Sequence, residues 1–529
     1  VTALAGTGEL ARLAARRDRI LLPVWIYVLT AVIASTAYSL KKGYPTAADR
    51  ASLAAGVGHN PSIAAIYGAA YSSSFGGITA WRAGLIAAIG CALMSIIVVI
   101  RHTRGDEEAG RLELLGATAV GRQAQPVAGL VLALGAATVL GLLIWVVCLL
   151  LGMPGAGSLA LGLEIAAAGW VFAGIAVACA QLTASARAAR GIAASLLGVA
   201  YLLRAVGDAN SGVSWLTWVS PLGWVEELRP FAAERWWVIA LSAGATVGFS
   251  ALAWVLAAHR DVGAGLLPDR PGRPAATRWL RDPVTLAWRL QRGSLFGWLA
   301  GFLVAGAVLG AAAHGIGALL NSPQVRADVF RYGGHANLVN AYFVVLFQEA
   351  AIAAAAFAVA ASLRLHDEEA AQRAEPVLAA PVRRIRWAAG HVLTAVIGPA
   401  VLLAGLGVAA GVAYGTHGGM GSQVLRLLGA AMAPVPAAWV MAGVAVAVFG
   451  LVPRLAVGIS WGVLGVAALL AIVGPLVRLS HWVLDLSPFT HTPRLPGVAF
   501  TAQPLLWLTG LAVLLAGAGL AALRQRDIG

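Results

Sequence analysis

The sequence is divided by long unbroken apolar stretches, most of them near the roughly 20 residues that a helix needs to cross the hydrocarbon of a bilayer. They fall at Ile20–Leu40, Gly84–Ile100, Pro126–Leu151, Leu159–Thr183, Gly191–Gly207 and Trp236–Ala258. A second series follows at Leu295–Gly315, Val339–Leu363, Ala388–Tyr414, Leu427–Gly450, Leu455–Gly474 and Leu505–Leu523. The stretches are continuous, whereas a barrel strand would show about ten residues of alternating polarity. With 60% of residues hydrophobic and 11% charged, a soluble fold could not hide this surface. The expected fold is therefore an all-α integral membrane protein of about twelve transmembrane helices.

Small residues spaced four apart let helix backbones approach closely in lipid. Gly306 and Gly310 form one such pair, and Gly407, Gly411 and Gly415 form a tandem one. The three cysteines, Cys91, Cys148 and Cys179, all fall inside apolar stretches and exclude a disulfide framework or a cysteine metal site. Lysine occurs only at Lys41 and Lys42, and the bias to alanine, glycine and arginine points to a high-GC bacterial genome. The expected location is the bacterial plasma (inner) membrane. Arg16-Arg17-Asp18-Arg19 leads into a run too long for a signal peptide, so it is expected to be a cytoplasmic anchor.

With both termini in the cytoplasm, about 25 of the 37 Lys/Arg residues lie in cytoplasmic segments, as the positive-inside rule asks. That basic face beside anionic lipid accounts for the net charge of +14, and no nucleic-acid partner is needed.

The chain also repeats itself. Asp106–Glu113 recurs as Asp367–Glu375 with one residue inserted, Ala371-Gln372 standing where the first copy has Gly110. Arg187, Gly191, Gly198 and Gly207 match Arg454, Gly458, Gly465 and Gly474 at one constant offset, which Ser220-Pro221 and Ser487-Pro488 share. Arg260-Asp261-Val262-Gly263 matches Arg526-Asp527-Ile528-Gly529. Ordered matches along the whole length indicate two tandem six-helix repeats of the same orientation. The expected division is a first repeat over 1–258, a cytoplasmic linker over 259–294 and a second repeat over 295–529. The linker should hold an interfacial helix with Leu280, Val284, Ala287 and Trp288 on one face, and Glu9–Arg19 looks like its counterpart.

Two acidic-basic segments, Arg101–Gln123 and Arg364–Trp387, join the second and third spans of each repeat on the cytoplasmic side. Glu107 or Glu108 could form a local helical ion pair with Arg111. Preservation of the pattern in both copies points instead to a docking surface.

These two segments resemble those of actinobacterial ABC-type exporter permeases, the polyketide-antibiotic (tetronasin-type) exporter family, and the resemblance extends over essentially the whole chain. It implies a transmembrane permease of an ATP-driven exporter of hydrophobic or amphipathic compounds. It also implies that each segment is a coupling helix seated on an ATPase. The coupling residues would be Glu107, Glu108, Arg111 and Glu113 in the first half, and Glu368, Glu369, Arg373 and Glu375 in the second. Asp208–Arg235 and Arg478–Pro504 would be re-entrant or interfacial hairpins at the outer face, and Trp215, Trp218, Trp224, Trp236, Trp237 and Trp482 suit a headgroup belt.

The chain cannot itself be the motor, because a phosphate-binding loop needs GxxxxGK[ST] and neither lysine has that context. No cofactor is expected in this chain. ATP and Mg would sit on a separate ABC ATPase subunit, two copies per permease. Ionisable residues inside spans suggest function. Glu349, beside Gln348, lies about ten residues into the eighth span, and Glu164 sits near the outer end of the fourth, making these three the candidate substrate pathway. No catalytic or metal constellation is present in the histidine pattern. The alternatives are a proton-coupled secondary transporter using Glu349, and a lipid-linked glycosyltransferase, for which Asp49 stands alone in the first external loop.

Overall fold

Six long apolar helices recur in each half of the chain, twelve in all that are long and apolar enough to cross a membrane. The computed structural model describes residues 3–58, 61–111, 120–209, 211–261, 263–267, 275, 280, 282–319, 338–416, 419–472 and 480–526. Among them there is no strand. Contacts divide the chain into two units, Val1–Gly272 and Arg273–Gly529, each holding six of the spans. The protein is an all-α, multi-pass integral membrane protein.

In the first unit a short helix, α1 (Thr7–Arg17), precedes the first span, α2 (Leu21–Gly43). Two helices the sequence did not announce follow, α3 (Ala47–Gly58) and α4 (Pro61–Tyr67). Next come α5 (Phe75–His102), the single turn α6 (Arg104–Glu108), α7 (Ala124–Leu150), α8 (Gly155–Leu182) and α9 (Ala186–Ala209). A hairpin of two short helices, α10 (Trp215–Val219) and α11 (Pro221–Glu226), leads to the sixth span, α12 (Trp237–Ala258). The second unit holds α13 (Pro283–Leu319), α14 (Leu338–Ala370), the short α15 (Ala374–Leu378), α16 (Arg384–Gly415), α17 (Met420–Met432), α18 (Val435–Leu451), α19 (Ala456–Ile472), α20 (His481–Leu484) and α21 (Gln503–Gln525).

In each unit the fourth span is central. Over their most apolar 18 residues, 89% of the residues of α8 are buried and 78% of those of the α17–α18 pair. The expected tenth span is broken at Ala433-Pro434, where a residue without an N–H ends one helix and starts the next. Glycine sets how close the central helices come to their neighbours. A Cβ on Gly162 would lie 2.2 Å from the Gly141 carbonyl oxygen, and one on Gly450 2.2 Å from that of Gly519. The predicted glycine pairs are also seams, with Gly306 and Gly310 against α16 and Gly407, Gly411 and Gly415 against α17.

The linker expectation needs correction. Among the described residues, Val284, Ala287 and Trp288 of the expected interfacial helix are part of α13 itself, which runs unbroken from Pro283 to Leu319. Of the face expected to be apolar, Ala287 is buried against Gly390 while Trp288 is exposed. In the first unit the corresponding helix is separate. Asp18 ends α1, and its buried carboxylate meets His102 Nε2 at 2.6 Å and Arg101 at 3.3 Å.

The Ser-Pro steps cap short helices. Ser220 Oγ accepts from Leu222 N and Gly223 N and donates to the Ala200 carbonyl at 2.6 Å. Ser487 Oγ makes the matching bond to the Ala467 carbonyl at 2.8 Å. Around these turns Trp215, Trp218, Trp236, Trp237 and Trp482 are exposed, and the rings of Trp218 and Trp237 stack at 5.5 Å.

Candidate functional site

Two places concentrate polar chemistry, at opposite ends of the first unit. At one end α5 stops at Thr103, whose hydroxyl turns back to the Val99 carbonyl, and α6 begins. Asp106 there accepts from Arg17 at 2.9 and 2.7 Å and from Arg111 at 2.7 Å. Glu107 accepts from both terminal nitrogens of Arg260, at 2.7 and 3.1 Å, and from Gly263 N at 2.6 Å. It also pairs with Arg104 at 3.0 Å, and its side chain is only 5% exposed. Glu108 accepts from Ala186 N, one of the unpaired donors at the start of α9. Buried Arg104 donates to the Ala180 carbonyl near the end of α8. The segment is thus fastened to α1, α8, α9 and the chain following α12.

The second unit repeats this lock. Glu369 pairs with Arg526, which follows its sixth span as Arg260 follows the first unit's. Glu368 accepts from Arg373 at 3.3 Å, as Asp106 does from Arg111. Arg384 donates to the Arg526 carbonyl, and Arg122 to that of Arg260 at 2.8 Å. Gly110 and Gln372 both have positive φ, at 70° and 55°.

These matches shift the repeat by one residue from the register that the letters suggest. Asp106 and Glu107 correspond to Glu368 and Glu369, Gly110 corresponds to Gln372, and no insertion separates the copies. Glu108 then faces the place of Ala370, and Asp367 that of Gly105. The anticipated pairing of Glu107 or Glu108 with Arg111 is not made, since Asp106 takes that arginine. The carboxylates of Glu107, Glu108 and Glu369 are engaged within the chain. Arg111, Arg373 and Glu375, the last in the first turn of α15, are exposed. Glu113 lies outside the described residues.

At the other end of the unit lies a cluster that sequence reasoning largely missed. Arg204 on α9 is fully buried. It pairs with Asp208 at 3.2 Å and Glu226 at 3.5 Å, and donates to the Ala65 carbonyl at 2.7 Å, closing the C-terminal end of α4. Gly68 follows α4 with φ 85°, and a Cβ there would collide with the Glu226 carboxylate. Burial raises the Glu226 carboxyl well above the usual carboxylate range, against the opposing pull of Arg204. Tyr71 donates to Glu227 at 3.1 Å, and burial, reinforced by the charges of Glu226 and Glu227, raises its phenol as well. Glu227 also pairs with Arg229 at 2.9 Å and Arg235 at 2.6 Å.

Glu164, singled out in the sequence, belongs to this cluster. It is buried on α8, lines a small cavity of about 30 Å³ with Tyr67, Tyr71, Trp81 and Glu226, and its Oε2 has no hydrogen-bond partner among the described residues. The signal for the cluster was present in Arg204, an arginine inside an apolar stretch. Glu349 and Gln348 lie on α14 in the second unit, Glu349 exposed and Gln348 half-buried. Asp49 forms a reciprocal cap with Thr46 at the start of α3, at 3.0 and 3.1 Å. Among the described residues no group of three or more His, Cys, Asp or Glu could hold a metal ion.

A family profile described as the C-terminal domain of the multidrug efflux system permease Rv1217c matches residues 280–524. The whole chain is similar to the multidrug efflux system permease protein Rv1217c of Mycobacterium tuberculosis. The two are 44% identical over 527 residues, covering 99% of this chain and 95% of that relative. Twelve apolar helices and a full-length match of this depth place the chain in the multidrug efflux system permease family.

Proposed function

We propose that this chain is the permease subunit of an ATP-driven exporter of hydrophobic or amphipathic compounds, with both termini cytoplasmic and ATP and Mg held by separate ATPase subunits, two per permease. The observation that carries this reading is the duplicated lock. In each unit the loop between the second and third spans is clamped to the arginine that follows the sixth, Glu107 to Arg260 and Glu369 to Arg526. A partner pressing on such a loop moves the ends of several spans together, as coupling requires. Two locks in one chain offer two seats. The exposed side chains of Arg111, Arg373 and Glu375 are the contact points, while Glu107, Glu108, Glu368 and Glu369 set the shape of each seat. The resemblance to polyketide-antibiotic (tetronasin-type) exporters supports bulky apolar cargo. The multidrug role named for the Mycobacterium tuberculosis relative supports a broad range of it.

The test is export from cells or vesicles with the partner ATPase present. Blocking its ATP hydrolysis should abolish export, and collapsing the proton gradient alone should not. Export that follows the gradient and ignores ATP would overturn the proposal in favour of proton-coupled transport.

A further inference from the structure

We propose that the groove between α1 and the start of α7 seats one anionic glycerophospholipid, with an acyl chain along Leu10, Leu13 and Ala128 and the phosphate at the Arg17–Arg111 end. The leaflet that supplies it, the cytoplasmic one, rests on the orientation given with the export reading, but the binding itself does not.

The groove follows from how α1 is built. Leu10, Leu13, Ala14 and Arg17 share one helical face, while Glu9, Arg12 and Arg16 share another. A helix of that kind lies along a membrane surface with its apolar face inward. Here the face does not close fully on its neighbour. Against Ala128 and Gly129 of α7, small residues both, it leaves a cavity of about 240 Å³. An apolar cavity of about 150 Å³ is enough to take up benzene, so this one has room for a length of acyl chain. It is also open, since Leu13 is 47% exposed and the Arg111 side chain 55%. Its α7 wall belongs to the first two turns of that helix, whose span begins at Ala124, so the groove lies where α7 enters the bilayer.

The charges select the headgroup. Arg17 and Arg111 both donate to Asp106, so two guanidiniums share one carboxylate at the polar end of the groove. Each guanidinium has five N–H donors, more than Asp106 can take. The other acids of this corner are already paired, Glu9 with Arg12, and Asp18 with His102 and Arg101. Arg16 and Arg19 stand exposed beside them. The corner therefore keeps a positive excess that a phosphodiester complements, as basic pockets at the cytoplasmic ends of spans do. The apolar groove leading from it distinguishes a lipid from a soluble anion. In the second unit a groove of about 250 Å³ occupies the matching place, between the start of α13 and α16. Its lining, with Val284, Trp288, Leu295, Leu393 and Ile397, holds no charged side chain among the described residues. That groove can take an acyl chain without choosing a headgroup, so selection by charge belongs to the first unit.

The experiment is native mass spectrometry of the full chain, with dioleoylphosphatidylglycerol and dioleoylphosphatidylcholine added in competition. One phosphatidylglycerol per chain should be retained in preference to phosphatidylcholine. Arg111→Gln should lower that preference about fivefold, the effect of one arginine at a membrane surface, and Arg289→Gln on α13 should leave it unchanged. Leu13→Trp, which fills the mouth of the groove, should release both lipids from the site. Equal retention of the two lipids by the unaltered chain would overturn the proposal, a readout that needs no variant. So would equal losses of preference in the Arg111→Gln and Arg289→Gln chains. Inorganic phosphate displacing phosphatidylglycerol at equal concentration would overturn it too, in favour of a soluble-anion site. Loss of ATP-driven export with lipid preference intact would count against the export reading alone.

Discussion

The two units share a lock at one end and differ at the other. At the loop end each holds an acid on an arginine beyond its sixth span and a second acid on an arginine five residues ahead. At the hairpin end both keep the serine that bonds to the preceding span. The first adds Arg204, Asp208, Glu226 and Glu164 around it, and the second has Ala471 and Pro493 where Arg204 and Glu226 align. The lesson is that the loop lock is common to both units, whereas the hairpin end is where they diverge.

The comparison can be broken most forcefully at Arg204. Replacing it with leucine leaves Asp208 and Glu226 without their buried cation, at a cost of about 3–5 kcal/mol. Thermal unfolding in nanodiscs should show a large loss, whereas Ala471→Leu at the matching buried position should cost the smaller ~1–3 kcal/mol of overpacking. Equal losses would mean that the cluster is not what separates the units.

Next come the locks. Glu107 has three charged or backbone donors, and among the described residues Glu369 has Arg526, so Glu107→Gln and Glu369→Gln should each slow ATP-driven export, Glu107→Gln by about tenfold. Exchanging the partners, Glu107→Arg with Arg260→Glu, should recover part of the loss. No recovery would show that the acid acts on something other than Arg260.

Smaller effects are expected at the serines. Ser220 caps its helix as well as bonding Ala200, while Ser487 makes the carbonyl bond without the cap. Ser220→Ala should therefore cost about 1–2 kcal/mol and Ser487→Ala about half that, read by thermal unfolding. The smallest effect concerns Glu226. Its carboxyl binds a proton more tightly folded than unfolded, so stability should fall as pH rises from the ordinary carboxylate range toward the raised value. Glu226→Gln should remove that slope and change little below it. A pH profile that keeps its slope would move the titration to another group.

Much of this fold was legible. Hydropathy found all twelve spans because lipid forbids polar interruption, and the Ser-Pro and glycine matches exposed the duplication. The acidic segments misled by one residue because Asp-Glu-Glu aligns best with Asp-Glu-Glu. The fold aligns partners instead, and the arginines beyond the sixth spans lie some 150 residues away in sequence. The continuity of α13 was hidden for a similar reason. An amphipathic start looks the same whether or not a break follows it, and in the first unit the break falls at Asp18, whose buried carboxylate meets His102 and Arg101. At the candidate site Glu164 was visible as a charge in an apolar stretch. Its neighbours Glu226, Tyr67, Tyr71 and Trp81 come from loops and other helices, which hydropathy does not connect.

The glycine seams carry a mechanical consequence. Where Gly141 meets Gly162, and Gly450 meets Gly519, backbone lies against backbone with no side chain between to act as a bearing. Rolling either helix about its own axis would drive a neighbouring side chain into the gap, so these pairs resist rotation far more than tilting. Each unit is then built to tilt as a plank does, transmitting a push on its loop to its far end without twisting on the way.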